Sequence, residues 1–297
     1  MATSQADVPT PPQGPTKFGV LLYPGFEVLD VFGPLEALNV ISRTEFEYLE
    51  TPPLDCIKDI ELYVITTGKT VEAITAVAPV KEASSEETSS PEQRAPSSEQ
   101  KALSSEQMPP KPEVKSLAES RQLGSAAWPR FEPNCTMHCV PPDMEVLIIP
   151  GGLGSSAVGE DVIEWIRKTL PNLKYLFTVC TGSLIAARAG VLDGMKATTN
   201  KQAWNSLTDL KTLDKNPKWK NVHWVANARW VKSSDQIWTT SGVSAGTDGF
   251  IAWMKEVYGQ AYGEKVCQWM EYRAVVKATP DHFAVGLHDV IDGKKVC

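Results

Sequence analysis

The residue best suited to covalent chemistry is Cys180, in the run Lys174-Tyr-Leu-Phe-Thr-Val-Cys180-Thr-Gly-Ser-Leu-Ile-Ala-Ala-Arg-Ala-Gly190. A β-favouring apolar stretch stops at the cysteine, and an alanine-rich helical pattern begins directly after it. This predicts a thiol on a sharp strand-to-helix turn, at the carboxyl edge of a sheet and against a helix N-terminus. Free backbone N–H groups and the helix dipole at such a place favour thiolate over thiol, so a nucleophile is expected. The sequence has six cysteines, and the other five lack this setting. The alternative is a buried structural cysteine, since free cysteine is among the most buried residue types.

Thr181 and Gly182 follow the cysteine. Their N–H groups would point at whatever the sulfur attacks, and the Thr181 hydroxyl could hold a substrate or a water. Otherwise Thr181 is only a helix N-cap. Gly151-Gly152 closes the apolar run Val146-Leu-Ile-Ile149 and would let backbone approach a ligand closely. The Gly152 amide is then a candidate donor to negative charge developing beside Cys180. Asp30 is flanked by Leu29, Val31 and Phe32. A carboxyl held among apolar side chains has its pKa raised by desolvation, which makes it a candidate general acid. Its alternative role is a cap for a helix beginning after Pro34, and Glu27 competes for the acid role.

Other chemistries find less support. None of the four histidines is tied to Cys180 by sequence, and His138, between Cys135 and Cys139, lacks the second half of a zinc site. No metal is therefore expected. Gly151-Gly-Leu-Gly154 is neither a dinucleotide fingerprint nor a Walker loop, so no nucleotide cofactor is expected either. Trp204, Trp219, Trp224, Trp230 and Trp238 cluster in sequence, a pattern that suits core or interface packing.

These groups need a scaffold. Phe18–Leu22 reads as a strand punctuated by Tyr23-Pro24-Gly25, and Leu35–Ile41 as a helix with Pro34 in its first turn. Leu62–Thr66 reads as a strand, and Val71–Val80 as strand and hairpin material. Val146–Ile149 is the continuous apolar run that a parallel strand buried on both faces requires. Asp161–Leu170 is an amphipathic helix, followed by the strand ending at Val179 and a helix to Ala189 with Gly190 at its C′ position. Val222–Trp230 and Gln236–Thr239 are strand-like, joined by the turn residues Ser233-Ser234-Asp235, and helices are expected over Thr247–Tyr258 and Glu264–Arg273. Alternating strands and helices predict an α/β fold, a doubly wound, mostly parallel sheet with helices on both faces. Ligands of such sheets bind at the strand carboxyl ends, where Tyr23–Asp30, Gly151–Gly152 and Cys180 all fall.

One break divides the chain. From Lys81 to Ala127 there is no Phe, Tyr, Trp or Ile, and Ser, Glu, Gln and Pro dominate. Such a segment cannot bury enough apolar surface to offset the entropy of ordering it, so a disordered surface insertion is expected, or else a phosphorylated or partner-binding tether. The expected organisation is a disordered tail at 1–16, one α/β domain from 17–80 and 128–276, the insertion at 81–127, and an extension at 277–297. The net charge of -7 and the absence of a basic patch argue against nucleic acid. The cysteines are too sparse for a disulfide scaffold, no secretory signal is evident, and no apolar run approaches the ~20 residues of a membrane span. A cytoplasmic protein acting on a small molecule is the expectation.

Several segments, in order, resemble one family. They are Tyr23-Pro-Gly-Phe26 through Leu29-Asp30-Val-Phe-Gly-Pro34, Ile149-Pro-Gly-Gly152, Val179-Cys-Thr-Gly-Ser183, Ala189-Gly-Val-Leu-Asp-Gly194, Ala197-Thr-Thr199, and Ile237 through Gly246 with Asp248 beyond. Together they look like the ThiJ/PfpI superfamily, and within it the isonitrile-hydratase-like branch. The resemblance implies a flavodoxin-like domain, usually a homodimer, with the elbow cysteine as nucleophile. In isonitrile hydratases the aspartate of Leu-Asp-x-x-Gly-Pro and the threonine after the cysteine are functional, which implies roles for Asp30 and Thr181. Two departures matter. Many relatives carry His where this chain has Asn200, so the helix N-terminus rather than an imidazole is expected to activate the sulfur. The peptidase and glyoxalase branches usually show Cys-His-Gly, and here the residues are Cys180-Thr-Gly182, which disfavours those activities. The implied reaction is hydration of an isonitrile to an N-substituted formamide through a cysteine thioimidate, without cofactor. The alternatives are a glutathione-independent glyoxalase or deglycase acting on 2-oxoaldehydes, and a non-enzymatic sensor in which Cys180 is oxidised.

Overall fold

The computed structural model describes residues 14–42, 57, 59–66, 71–72, 130–131 and 133–296. The expected insertion at 81–127 and residues 1–13 of the expected tail lie outside the described residues, as do residues 73–80.

The centre of the molecule is a seven-stranded sheet. Its strands are β1 (Lys17–Leu22), β2 (Glu61–Thr66), β5 (Cys135–Thr136), β6 (Val146–Ile149), β7 (Tyr175–Thr178), β10 (Trp230–Lys232) and β11 (Ile237–Thr240), in the order β10-β11-β7-β6-β1-β2-β5. All neighbours are parallel except the edge hairpin β10–β11. Every residue of β6 and of β11 is buried, as a strand covered on both faces demands. From β1 the chain runs outward to β2 and later returns on the other side of β1 as β6. This places the topological switch point, and hence the ligand crevice, at the carboxyl ends of β1 and β6, next to β7.

The helices form two groups. One contains α1 (Val28–Ser42), α5 (Val243–Val257) and α6 (Gln260–Trp269), which pack on one another. The other pairs α2 (Glu160–Thr169) with α3 (Gly182–Arg188), and a short α4 (Leu210–Lys215) follows in the chain. Phe18, Tyr175, Phe177, Phe250, Trp253 and Tyr258 form a contiguous aromatic core between strands and helices. Trp204, Trp219, Trp224, Trp230 and Trp238 are all buried, in keeping with a packing role.

Several boundaries differ from the expectation. Helix α1 begins at Val28, so Pro34 lies inside it rather than in its first turn. The proline forfeits one N–H bond, and packing of α1 on α5 and α6 offsets that loss. Helix α5 starts directly after Gly242, and α6 lies four residues nearer the N-terminus than expected. The stretch 222–230 is two strands in different sheets: β9 (His223–Trp224) belongs to a small second sheet, and β10 to the main one. Between them the Ala226 N–H donates to Asp289 Oδ1 and the Arg229 N–H to the Ala278 carbonyl, so tertiary partners take over from a strand ladder.

The C-terminal segment is part of the fold. Strands β12 (Asp289–Ile291) and β13 (Lys294–Val296) join β9 and β8 (Lys196–Ala197) in a four-stranded sheet of order β13-β12-β9-β8. Residues 14–16, expected to belong to the tail, are also pinned. The Thr16 N–H donates to Glu145 Oε2, and the Tyr258 hydroxyl to the Pro15 carbonyl. Strands β3 (Val71–Glu72) and β4 (Arg130–Phe131) pair antiparallel, which brings together the two ends of the segment that includes the insertion.

Candidate active site

Cys180 ends the turn between β7 and α3 with φ of 58°, in the left-handed region that few non-glycine residues occupy. This strain costs on the order of 1–3 kcal/mol and persists because the turn is held on all sides. The Val179 N–H donates to the Ile149 carbonyl and the Cys180 N–H to the Ser241 carbonyl, both at 2.9 Å. The hydroxyls of Ser183 and Thr199 both donate to the Cys180 carbonyl, at 2.9 and 3.1 Å. The thiol-bearing residue is 5% exposed.

The three strand ends meet here as the sequence implied. A Cβ on Gly151 would lie 2.7 Å from Cys180 Cβ and 2.5 Å from the Thr181 nitrogen, so only glycine allows this approach. Gly152, at φ of 136°, turns the chain away over the loop after β1. The Glu27 N–H donates to the Gly151 carbonyl and the Gly154 N–H to the Gly25 carbonyl, which fixes that loop against the β6 end.

Asp30, in the first turn of α1, is fully buried. Its Oδ2 accepts the Gly151 N–H at 2.9 Å. Among the described residues Oδ1 has no donor at hydrogen-bonding geometry, while the Cys180 thiol lies near enough to favour the carboxylate. Burial drives the Asp30 pKa up to about 7. The Gly151 N–H opposes that rise, Glu27 adds to it, and the thiol slightly offsets it.

The expectation of a resting thiolate does not hold. Burial, with the charge of Asp30 second, pushes the Cys180 thiol up to about 12. The Thr181 N–H, the Asn200 amide and the Thr181 hydroxyl pull the other way without cancelling it. Helix α3 has only seven residues, and its N-terminus does not offset the desolvation.

The expected backbone donors are also committed elsewhere. The Gly151 N–H is bonded to Asp30, the Gly152 N–H to Thr181 Oγ1 at 2.9 Å, and the Gly182 N–H to the Val179 carbonyl at 2.9 Å. Buried amides find partners in the resting protein, and these three have found them within the site itself. Gly151 and Gly152 therefore position Asp30 and Thr181, and the Thr181 N–H is the amide that reaches the sulfur. The Thr181 hydroxyl makes no capping bond to α3; it accepts the Gly152 N–H and donates to the Gly152 carbonyl.

Asn200 stands where relatives often keep histidine, and its Nδ2 donates to Cys180 Sγ at 3.1 Å. Its Oδ1 accepts the N–H groups of Gln202 and Ala203, at 2.7 and 3.2 Å, which orients the amide with its NH₂ toward sulfur. In the sequence Asn200 stands out only as the place of a missing histidine. An Asn before a turn, with its oxygen free to cap the next amides, was the signal available.

Two cavities flank these groups. One, of about 220 Å³, is lined by Asn200, Lys201, Arg229, Ser241 and Gly242 among others, and a second, of about 590 Å³, by Gly152, Leu153, Thr181 and Ala203 among others. Among the described residues, no group of three or more His, Cys, Asp and Glu side chains is placed to hold a metal ion. Among them, too, no helix is long and apolar enough to cross a membrane.

A doubly wound α/β sheet with a strained cysteine at the β7–α3 elbow and a buried carboxyl beside it defines a class of protein. Residues 113–259 match the DJ-1/PfpI family, and the chain belongs to that family. It is similar to an isonitrile hydratase of Pseudomonas putida, with 31% identity over 133 residues, or 44% of this chain and 53% of that protein. The chain thus matches about half the length of this curated relative. Among solved structures, a ThiJ/PfpI family protein from Pseudomonas syringae superposes with a TM-score of 0.55 at 20% identity, covering 97% of this chain and 90% of that one. Drosophila melanogaster DJ-1beta gives 0.52 at 14% identity, covering 87% and 99%. These two likenesses concern the fold.

Proposed function

We propose that the protein is an enzyme that hydrates an isonitrile to an N-substituted formamide through a Cys180 thioimidate. The observation that carries this reading is the burial of Cys180 and Asp30 together around Gly151, where desolvation pushes both groups toward their protonated forms. Similarity to the Pseudomonas putida isonitrile hydratase supports it. The terminal carbon of an isonitrile must receive both a nucleophile and a proton. Asp30, as carboxylate, takes the proton from Cys180 as sulfur attacks that carbon, then delivers the same proton to the carbon. The product of this step is R–N=CH–S–Cys180. Water held by Asp30 and Thr181 next adds across the C=N bond, its oxygen to carbon and its proton to nitrogen. The C–S bond then breaks, the remaining hydroxyl proton passes through Asp30 to sulfur, and R–NH–CHO leaves with the thiol restored. No cofactor enters this scheme.

Asn200 in place of a basic side chain disfavours the glyoxalase or deglycase alternative. A thiol pushed up to about 12 disfavours the oxidation sensor, which needs a thiolate. We further propose a cytoplasmic homodimer. Leu29 and Phe32 of α1 and Leu153 remain exposed beside the site, as an apolar interface would require. The experiment that tests the function is turnover of a panel of aliphatic and aryl isonitriles by wild type and by Cys180→Ala. Formamide formed by Cys180→Ala at the wild-type rate would sink the reading.

A further inference from the structure

The larger cavity, of about 590 Å³, has an uneven charge. Beyond Gly152 and Thr181 its lining includes Arg188 of α3 and Lys211 and Lys215 of α4, and among the described residues none that lines it is acidic. Lys211 and Lys215 lie one helical turn apart, hence on one face of α4, and both are exposed. Neither has a carboxylate within ion-pair distance among the described residues. Asp209, near Lys211, spends its Oδ2 on the N–H and hydroxyl of Thr212. Arg188 Nη2 meets the solvent-exposed Glu160 at 2.6 Å, and its Nη1 is buried with no acceptor among the described residues. In a chain of net charge -7, three cations around one acid-free cavity are a local reversal of sign. The cavity reaches Thr181, the neighbour of the nucleophile. It is also far larger than the two heavy atoms of an isonitrile group require.

We propose that the substrate carries an anionic group, a carboxylate, on its isonitrile nitrogen substituent, and that this cavity seats it. The inference rests on the isonitrile reading above. An isonitrile is linear at nitrogen, so with its carbon at Sγ the substituent projects away from the sulfur. It then enters the cavity past Thr181, toward Arg188, Lys211 and Lys215. Asp30 and Glu27, the acids beside the thiol, are not among the residues that line this path.

The test compares ω-isocyanoalkanoates of increasing chain length with their methyl esters, at low and high salt, in wild type and in the K211Q/K215Q double variant. For wild type the acid exceeds its ester in kcat/KM by about tenfold at the best chain length, mainly through KM, and this advantage shrinks with salt. In K211Q/K215Q the acid-to-ester ratio falls to about twofold or less. Esters hydrated as well as acids by wild type overturn the inference and leave isonitrile hydration standing. Should neither series be hydrated, the isonitrile reading itself fails, and the cavity is judged by alkylation of Cys180. The ratio of iodoacetate to iodoacetamide rates drops severalfold in K211Q/K215Q if the cations select anions. An unchanged ratio overturns the anion seat.

Discussion

Replacing Asp30 by asparagine keeps an oxygen for the Gly151 N–H and removes the carboxylate that takes the thiol proton. A thiol at about 12 is ionised in roughly one molecule in 10⁵ at pH 7, so the wild-type reaction depends on proton transfer to Asp30 during attack. Wild-type kcat/KM for an aliphatic isonitrile is therefore expected to rise through pH 7, as Asp30 ionises, and then to level. In Asp30→Asn the thiol pKa falls somewhat, because the second-largest cause of its elevation is gone, but burial, the largest, remains. The variant must then work through its own scarce thiolate. Its rate at pH 7 should fall by about 10²–10⁴-fold and climb about tenfold per pH unit, with no plateau near neutrality. Formyl-proton NMR of the product over pH 5.5–9.5 measures both profiles. An Asp30→Asn enzyme within about threefold of wild type, with the same plateau, would refute the proton route drawn here.

The same substitution should act oppositely on stability. The folded-state pKa of Asp30, about 7, lies above its ordinary 3.8, so the folded protein holds that proton more tightly than the unfolded chain. The stabilisation is complete below the ordinary value and is lost as pH rises to about 7. Asparagine has no such proton to lose. The stability difference between Asp30→Asn and wild type should shift in favour of the variant by roughly 2–3 kcal/mol between pH 5 and pH 8, read from urea midpoints at the two pH values; a difference independent of pH would count against the burial argument. Asn200→Asp keeps the cap on Gln202 and Ala203 but replaces the donor to sulfur with a second carboxylate. It should slow both alkylation of Cys180 and turnover by about 10–100-fold, and unchanged alkylation would remove Asn200 from the site. Deleting residues 277–297 removes β12 and β13, the fully buried Val290, and the His288 carbonyl that accepts the Trp204 indole N–H. A broad, less cooperative thermal transition with red-shifted tryptophan emission is expected, and an unchanged melting curve would make the segment dispensable.

What the sequence revealed, and what it hid, follows from the range of the interactions. The Cys180 elbow was legible because a strand pattern and a helix pattern abut at one residue, which is local information. The burial of Asp30 was anticipated for an incomplete reason. Leu29 and Phe32, two of the apolar neighbours thought to enclose it, are half-exposed. The enclosing face is the helical one that repeats from Asp30 through Pro34, Ala37, Leu38 and Ile41, and it becomes visible only once α1 is known to start at Val28. The committed amides were out of reach. Gly151 and Asp30 are 121 residues apart, and Gly152 and Thr181 are 29 apart. The charge state of the thiol is hidden from the sequence for a related reason: the dipole of α3 is a local property, whereas desolvation depends on everything packed around the sulfur. Likewise, nothing between Ala278 and Cys297 marks it as the partner of residues 196–197 and 223–224.

The exchange of histidine for Asn200 gains meaning from this charge state. An imidazole beside Cys180 would offer the thiol proton a second acceptor, competing with Asp30 and favouring the thiolate. Asparagine cannot take a proton, so its Nδ2 can only orient the sulfur and stabilise charge as it forms. The thiol proton then has one titratable neighbour near neutrality among the groups that act on the sulfur, and that neighbour is Asp30. For most thiol chemistry this is a poor arrangement, because the nucleophile rests in its weak form. For addition of S–H across a single carbon it is well matched: the two fragments of the bond must reach the same atom, and one carboxylate beside the sulfur can carry the proton there. An Asn200→His variant should therefore favour the thiolate, speed alkylation of Cys180 and slow isonitrile hydration. Faster hydration in that variant would show that ionisation of sulfur, and not delivery of its proton, limits the reaction.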